Sequence, residues 1–240
     1  MGLKMDKNVL LRRSILVSLL LLSWLSACTP GDQWAATASH ADTPSPQAIQ
    51  LPAPRKKGTL TLEEALSQRR SVRAFREIPL TLEEIGQLLW AAQGITDPAG
   101  HRSAPSAGAL YPLEVYVLTQ EALYHYDPPE HRLDLHQPGD LRSALHAAAL
   151  RQDAVLDAPA VFVIAAVYER TEKKYGQKRT PRYVHLEAGH AAQNLLLQAT
   201  ALELGAVPVG AFSDGDVKKA LSLPDGQQPL YLIPVGRPER

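Results

Sequence analysis

Two stretches of the chain carry the same device. "TLEEALSQRR" and "TLEEIGQLLWAAQG" each open on a threonine, Thr61 and Thr81, with a glutamate three residues on, Glu64 and Glu84. That spacing is a capping box and predicts a helix start at each. In the second stretch Leu82, Ile85, Leu88, Leu89 and Ala92 fall on one helical face, and Gly94 ends the run. "LEVYVL" (113–118) reads as a strand, and "LYHYD" and "RLDLH" around "DPPE" (127–130) as a hairpin. "DLRSALHAAAL" (140–150) predicts a helix. "APAVFVIAAVY" (158–168) is apolar on both faces, the mark of a buried strand. The longest helix is expected over 183–205, ending at Gly205. Its apolar residues surround most of the axis, which places it centrally or at an interface. "AVPVGAF" reads as a short strand or loop, "SDGDVKKALSL" as a short helix and "LYLIPVGRP" as a closing strand. Helices and strands mix without a regular βαβ alternation, so the fold class is α+β.

The N-terminus departs from this pattern. Lys4, Lys7, Arg12 and Arg13 precede the apolar block "SILVSLLLLSWL", which runs into "LSAC" (25–28). A positive start, a short apolar core and small residues before a cut site make a signal peptide over residues 1–27. The block has 12 residues, against the ~20 that a membrane-spanning helix needs. "LSAC" resembles the lipobox of bacterial lipoproteins, which would make Cys28 a lipidated N-terminus on an exported, envelope-facing protein. Cys28 is the only cysteine, so no intrachain disulfide can form. "RRSIL" also fits the loose twin-arginine export pattern. Residues 28–58, rich in Ala, Thr, Ser, Pro and Gln, read as a tether, and a folded domain is expected over 59–240. Cleavage would leave 21 basic against 24 acidic side chains, a net charge of −3. Nothing in that balance suggests a nucleic-acid partner.

Four clusters in the domain carry candidate chemistry. "RRSVRAF" puts Arg69, Arg70, Ser71 and Arg73 at the end of a helix. Three guanidinium groups and a hydroxyl suit a phosphate, although cations at a helix C-terminus also serve as a solvated face. "PSAGALYPLEVYV" places the bare residues Pro105, Ser106, Ala107 and Gly108 directly before a core strand. They form either a plain loop or a surface whose amides approach a flat ligand. In "VPVGAF", Gly210 and Ala211 could present amides to a ligand edge or simply turn the chain. In "PVGRP", Arg237 is either a ligand contact or a solvated terminal arginine. His185 and His190 are five residues apart, about 140° around a helix, so HExxH zinc chemistry does not fit and no metal site is assigned. Glu187, His190 and Asn194 do share a stripe, which suits a hydrogen-bonded core or interface group. Walker, GxGxxG and GxSxG motifs are absent, and a lipidated Cys28 leaves no thiol for catalysis.

Taken in order, "RRSVRAF", "PSAGALYPLEVYV", "EAGHAAQNLLLQA…LELGAVPVGAF" and "LIPVGRP" resemble the FMN-dependent nitroreductase superfamily over roughly residues 59–238. Within it the chain is similar to the SagB-like, azoline-oxidising dehydrogenases. The resemblance implies a mixed central sheet flanked by helices, a homodimer, two FMN sites at its interface and a small-molecule substrate. It implies that Arg69, Arg70, Ser71 and Arg73 hold phosphate and ribityl, with Arg237 adding a phosphate contact. Residues 105–108 would come from the other subunit and pack on the isoalloxazine, and the Gly210 and Ala211 amides would face it near N5. Many members carry Asn where this chain has Ala109. Azoline oxidases have a Lys-Tyr pair in about the region of "KKYG", which puts Lys174 and Tyr175 forward as catalytic; a solvated charged loop explains them equally well. The implied activity is hydride exchange at flavin N5 between a reduced donor and a small organic acceptor. A flavin- or ligand-binding lipoprotein without turnover, or a dehydrogenase of azolines in a peptide, are the alternatives.

Overall fold

The computed structural model describes residues 48–239. The expected signal peptide, Cys28 and most of the tether lie outside the described residues. Eight strands form one sheet: β1 (Ala48–Gln50), β2 (Phe75–Arg76), β3 (Leu113–Leu118), β4 (Ala122–Asp127), β5 (Arg132–Pro138), β6 (Ala160–Val167), β7 (Gly205–Ala206) and β8 (Gln227–Pro238). The order is β1-β5-β4-β3-β6-β8-β2, with β7 also on β8. The ladders are antiparallel, and the parallel contribution is one bridge between Ser71 and Ala206. As its composition predicts, β6 is central and buried along nearly its whole length.

Helices cover both faces. On one lie α1 (Leu62–Gln68), α2 (Leu82–Gln93) and α6 (Thr180–Ala201); on the other lie α3 (Arg142–Ala148), α4 (Asp153–Asp157) and α7 (Asp214–Ala220). Between β6 and α6 runs α5 (Tyr168–Tyr175). Both capping boxes form: Thr61 and Thr81 accept from the amides of Glu64 and Glu84 at 3.2 Å, and those carboxylates accept from the threonine amides at 2.8 Å. Two apolar cores result, one beneath α2 and α6, the other beneath α3, α4 and α7.

Three expectations are corrected. The fold begins before Thr59: β1 pairs with β5 from Ala48↔Asp134 to Gln50↔Arg132, and Leu51 is buried in the α2 core. Residues 48–58 therefore belong to the domain. The long helix starts at Thr180 and stops at Ala201, short of Gly205. Gly205 has a different role, because a Cβ there would stand 2.6 Å from Cγ1 of Val72. The "KKYG" segment closes α5, with Gly176 as its cap at φ +71°, and is not a loop.

Candidate functional site

The bare loop is built by the residue that follows it. Gly108, Ala109 and Tyr111 all take left-handed backbone angles, at φ +64°, +53° and +46°. For the alanine and the tyrosine that conformation carries strain, so something must hold it. Tyr111 does so through every polar group it has. Its amide donates to Ser106 Oγ at 2.9 Å, and its carbonyl accepts from Arg170 Nη1 at 3.1 Å. Its hydroxyl accepts from the Arg102 amide at 3.2 Å, and the Arg102 guanidinium lies 4.7 Å above its ring. Pro105 and Gly108 are left exposed, beside the buried Ala104.

Lys174 and Tyr175 stand against this loop. A Cβ on Gly108 would meet Lys174 Nζ at 2.7 Å and the Tyr175 hydroxyl at 3.0 Å. Tyr175 also packs on Tyr183 of α6, ring centroids 4.6 Å apart. An ammonium and a phenol thus share one surface with the small residues 105–108, and glycine keeps that contact close.

Charge behind the loop is paired. Glu114 of β3 accepts from Arg170 and lies 2.6 Å from His125 Nε2. Burial opposes the charge of Glu114, but the His125 hydrogen bond and the Arg170 charge together hold its carboxyl below the usual range. Glu187, on the inner face of α6, lacks such partners: burial outweighs Ser106 and Arg102 and pushes it up to about 7. Of the stripe read from the sequence, Glu187 is buried, Asn194 donates to the Ser103 carbonyl at 3.3 Å, and His190 is exposed. His185 instead meets the Tyr168 hydroxyl at 2.6 Å.

The arginine cluster lies at the sheet edge. Arg69 caps α1, and Arg70 Nη1 donates to the carbonyls of Ser67 and Arg69 at 2.9 and 2.8 Å. Ser71 bridges to Ala206, and the Val72 amide donates to the Ala206 carbonyl at 3.0 Å. Among the described residues no carboxylate lies within 4.0 Å of Arg69, Arg70 or Arg73. Arg73 borders an open cleft of about 730 Å³ that also holds Glu77, Asp153, Asp157 and Glu239. Gly210 and Ala211 are exposed beyond the Val209–Leu232 bridge, and Gln152 fixes them by donating to the Ala211 carbonyl at 2.8 Å. Among the described residues no protein group accepts from their amides. Guanidiniums without a carboxylate partner and amides without an acceptor fit an anionic ligand with a polar edge.

Arg237 is apart from Arg73. It shares the β8 face of Ile233 and Val235, toward α2, where its Nη2 donates to Glu84 at 2.9 Å. Arg73 borders the cleft on the opposite face, with Val207 and Val209. The larger separation is between the clusters. Ser71 pairs through β7 and β8 to Ala160, whereas residues 105–108 precede Leu113, which pairs with Ala166. Six residues along β6 and four strand spacings across the sheet put Ser71 and Leu113, at whose end the bare loop lies, roughly 28 Å apart in one chain.

The sequence family described as the Nitroreductase family matches residues 66–237. A Methanocaldococcus jannaschii protein assigned as a nitroreductase is 46% identical over 184 residues, 74% of this chain and 91% of that protein. The trifolitoxin-processing protein TfxB of Rhizobium leguminosarum bv. trifolii is 26% identical over 171 residues, 60% of this chain and 43% of that protein. A Ralstonia eutropha crystal structure, also assigned as a nitroreductase, has a TM-score of 0.74 at 33% identity, covering 80% of this chain and 90% of that one.

Proposed function

This chain belongs to the nitroreductase family, and from that premise we propose that it is an FMN-dependent oxidoreductase that works as a homodimer with two shared sites. The observation that carries the reading is the division of the candidate residues into two incomplete halves. One half offers Arg69, Arg70, Ser71 and the Gly210 and Ala211 amides but no cover for a flat ring. The other offers the bare 105–108 surface with Lys174 and Tyr175. Roughly 28 Å is more than one flavin mononucleotide bridges, so a twofold axis that sets one chain's loop on its partner's arginine edge completes both sites at once. Leu62 and Leu66 on α1 and Leu186 on the packed α6 stay 60%, 52% and 55% exposed, apolar surface that suits such an interface.

When bound, FMN supplies hydride exchange between a reduced donor and a small organic acceptor. The chain's own groups do the rest. Arg69, Arg70 and Ser71 donate to the phosphate, and Gly210 and Ala211 donate to the ring edge. Arg73 borders four carboxylates, which repel a dianion, so its place is away from the phosphate. Residues 105–108 exclude water from the ring face, and Lys174 Nζ and the Tyr175 hydroxyl hold protons at the substrate side. The Lys174–Tyr175 pair, together with the likeness to TfxB, favours a second reading in the SagB-like branch, a dehydrogenase of azolines in a peptide.

The spectrum of the purified chain tests the reading. It should be yellow, prefer FMN to riboflavin, bleach with NAD(P)H and recolour with a quinone or nitroaromatic acceptor. Equal affinity for riboflavin and FMN would remove the phosphate site, and a flavin that never bleaches would make this a binding protein. We place the enzyme in the bacterial envelope, held by lipid on Cys28, on the strength of "LSAC". Cys28→Ser should release it from membranes; a variant that is processed and fractionates as before contradicts the anchor.

A further inference from the structure

Helix α5 carries the two groups that face Gly108, yet little apolar packing fixes it. Thr171 is the one buried residue among its 8. At that length and exposure neither helix propensity nor burial holds a helix in place, so its polar ties must. The first tie is at its start, where the Val167 amide donates to the Pro112 carbonyl at 2.8 Å. The second is Arg170. Its Nη1 donates to the Tyr111 carbonyl at 3.1 Å, and its Nη2 donates to Glu114 Oε1. Glu114 is a fixed point. Its side chain is 12% exposed, its backbone pairs with Ala165 of β6, and its Oε2 lies 2.6 Å from His125 Nε2. Lys174 stands one turn beyond Arg170, about 6 Å along the axis on the same face. That face of α5 therefore runs antiparallel to residues 108–114, with Arg170 on Tyr111 and Glu114 and Lys174 on Gly108.

We propose that Arg170 is a positioning residue for the substrate side of the site: by joining the Tyr111 carbonyl to Glu114, it holds Lys174 and Tyr175 against residues 105–108. This rests on the flavin reading of that surface. Two bonds from one planar fork fix an angle as well as a distance, which a single contact does not. The bond to Tyr111 holds a turn whose φ of +46° would otherwise relax. The bond to Glu114 ties that turn, and α5 with it, to a strand of the central sheet. Tyr175 depends on the same height of α5, because its ring also leans on Tyr183 of α6. Without the fork, Lys174 keeps its charge and loses its place. A misplacement of about 1 Å at a reacting centre costs on the order of 100-fold in rate.

Two measurements on the purified full chain test this. Amide hydrogen exchange, without FMN, reads the placement itself. Arg170→Lys keeps the charge and loses the fork, so exchange should rise roughly tenfold in α5 and at Ala109 and Tyr111 together, with α2 unchanged. Arg170→Ala should do the same more strongly, and Arg170→Lys decides the matter if that chain does not fold. Turnover of NADPH with menadione, at saturating FMN, reads the consequence. Arg170→Lys should lower kcat roughly 10- to 100-fold. Lys174→Met with Tyr175→Phe removes the groups through which Arg170 acts, so adding Arg170→Lys to that pair should cost less than about twofold more. Exchange that rises in one segment alone or in neither would overturn the proposal. So would a Lys174→Met, Tyr175→Phe chain that turns over like the wild type, or an Arg170→Lys loss that persists in full in that background. Should the wild type bind no FMN, the flavin reading fails while exchange still decides whether Arg170 joins α5 to the turn.

Discussion

Ala109 takes φ +53° directly after Gly108 at +64°. A left-handed alanine costs about 1–2 kcal/mol, whereas glycine and asparagine enter that region readily. Ala109→Gly should therefore stabilise the fold by about 0.5–1 kcal/mol in thermal unfolding, the strain relieved exceeding the added chain entropy. Glu114 makes a prediction with a pH signature. Its folded pKa lies below the ordinary 4.5, so its stabilisation is present above that value and is lost as pH falls through the folded pKa. Glu114→Gln should cost about 1–3 kcal/mol near neutral pH, and its deficit in denaturant melts should vanish in acid. The small-residue loop and the arginines were legible because their residue types are unusual in runs. The clamp was not: Tyr111 joins Arg170 across 59 positions, and Glu114 joins His125 across 11, so no local pattern marks them.

At the scale of elements, the strongest coupling between packing and site runs through Gly205 and Val72. A Cβ at position 205 would press on a branched side chain at 2.6 Å, within the segment that carries Ser71. Gly205→Ala should destabilise by about 1–3 kcal/mol and weaken FMN binding together, because Val72 moves with its neighbour. Adding Val72→Ala should recover much of both losses; a double variant no better than the sum of the singles would break the link. The capped helices, the hairpin and β6 were readable from spacing and apolar runs. Three short elements were not. β1 is three residues in a stretch rich in Pro and Ala, too short for a period and identified by its pairing with β5. α4 is five residues. α5, "YERTEKKY", has one buried residue, Thr171, so it carries no apolar stripe to mark it as a helix.

At the scale of the whole molecule, the sheet places the arginine edge and the bare loop at opposite ends of β6, and the account turns on a second chain bringing them together. That arrangement was implied by resemblance and could not be read from spacing, since the distance between the halves follows from strand order. Complementation measures it directly. On the proposed reading Arg69→Ala should remove a charge-assisted phosphate contact, about 1.5–3 kcal/mol or roughly 10- to 150-fold in FMN affinity. Ala107→Glu puts a bulky charge where the ring should lie. Each variant alone should lose bound FMN. In a mixed dimer one site takes both defects and the other takes neither, so co-refolded chains carrying different tags should recover close to one FMN per heterodimer. Heterodimers that form, as a tandem-tag pull-down would show, yet bind no FMN would mean that each site is built within a single chain.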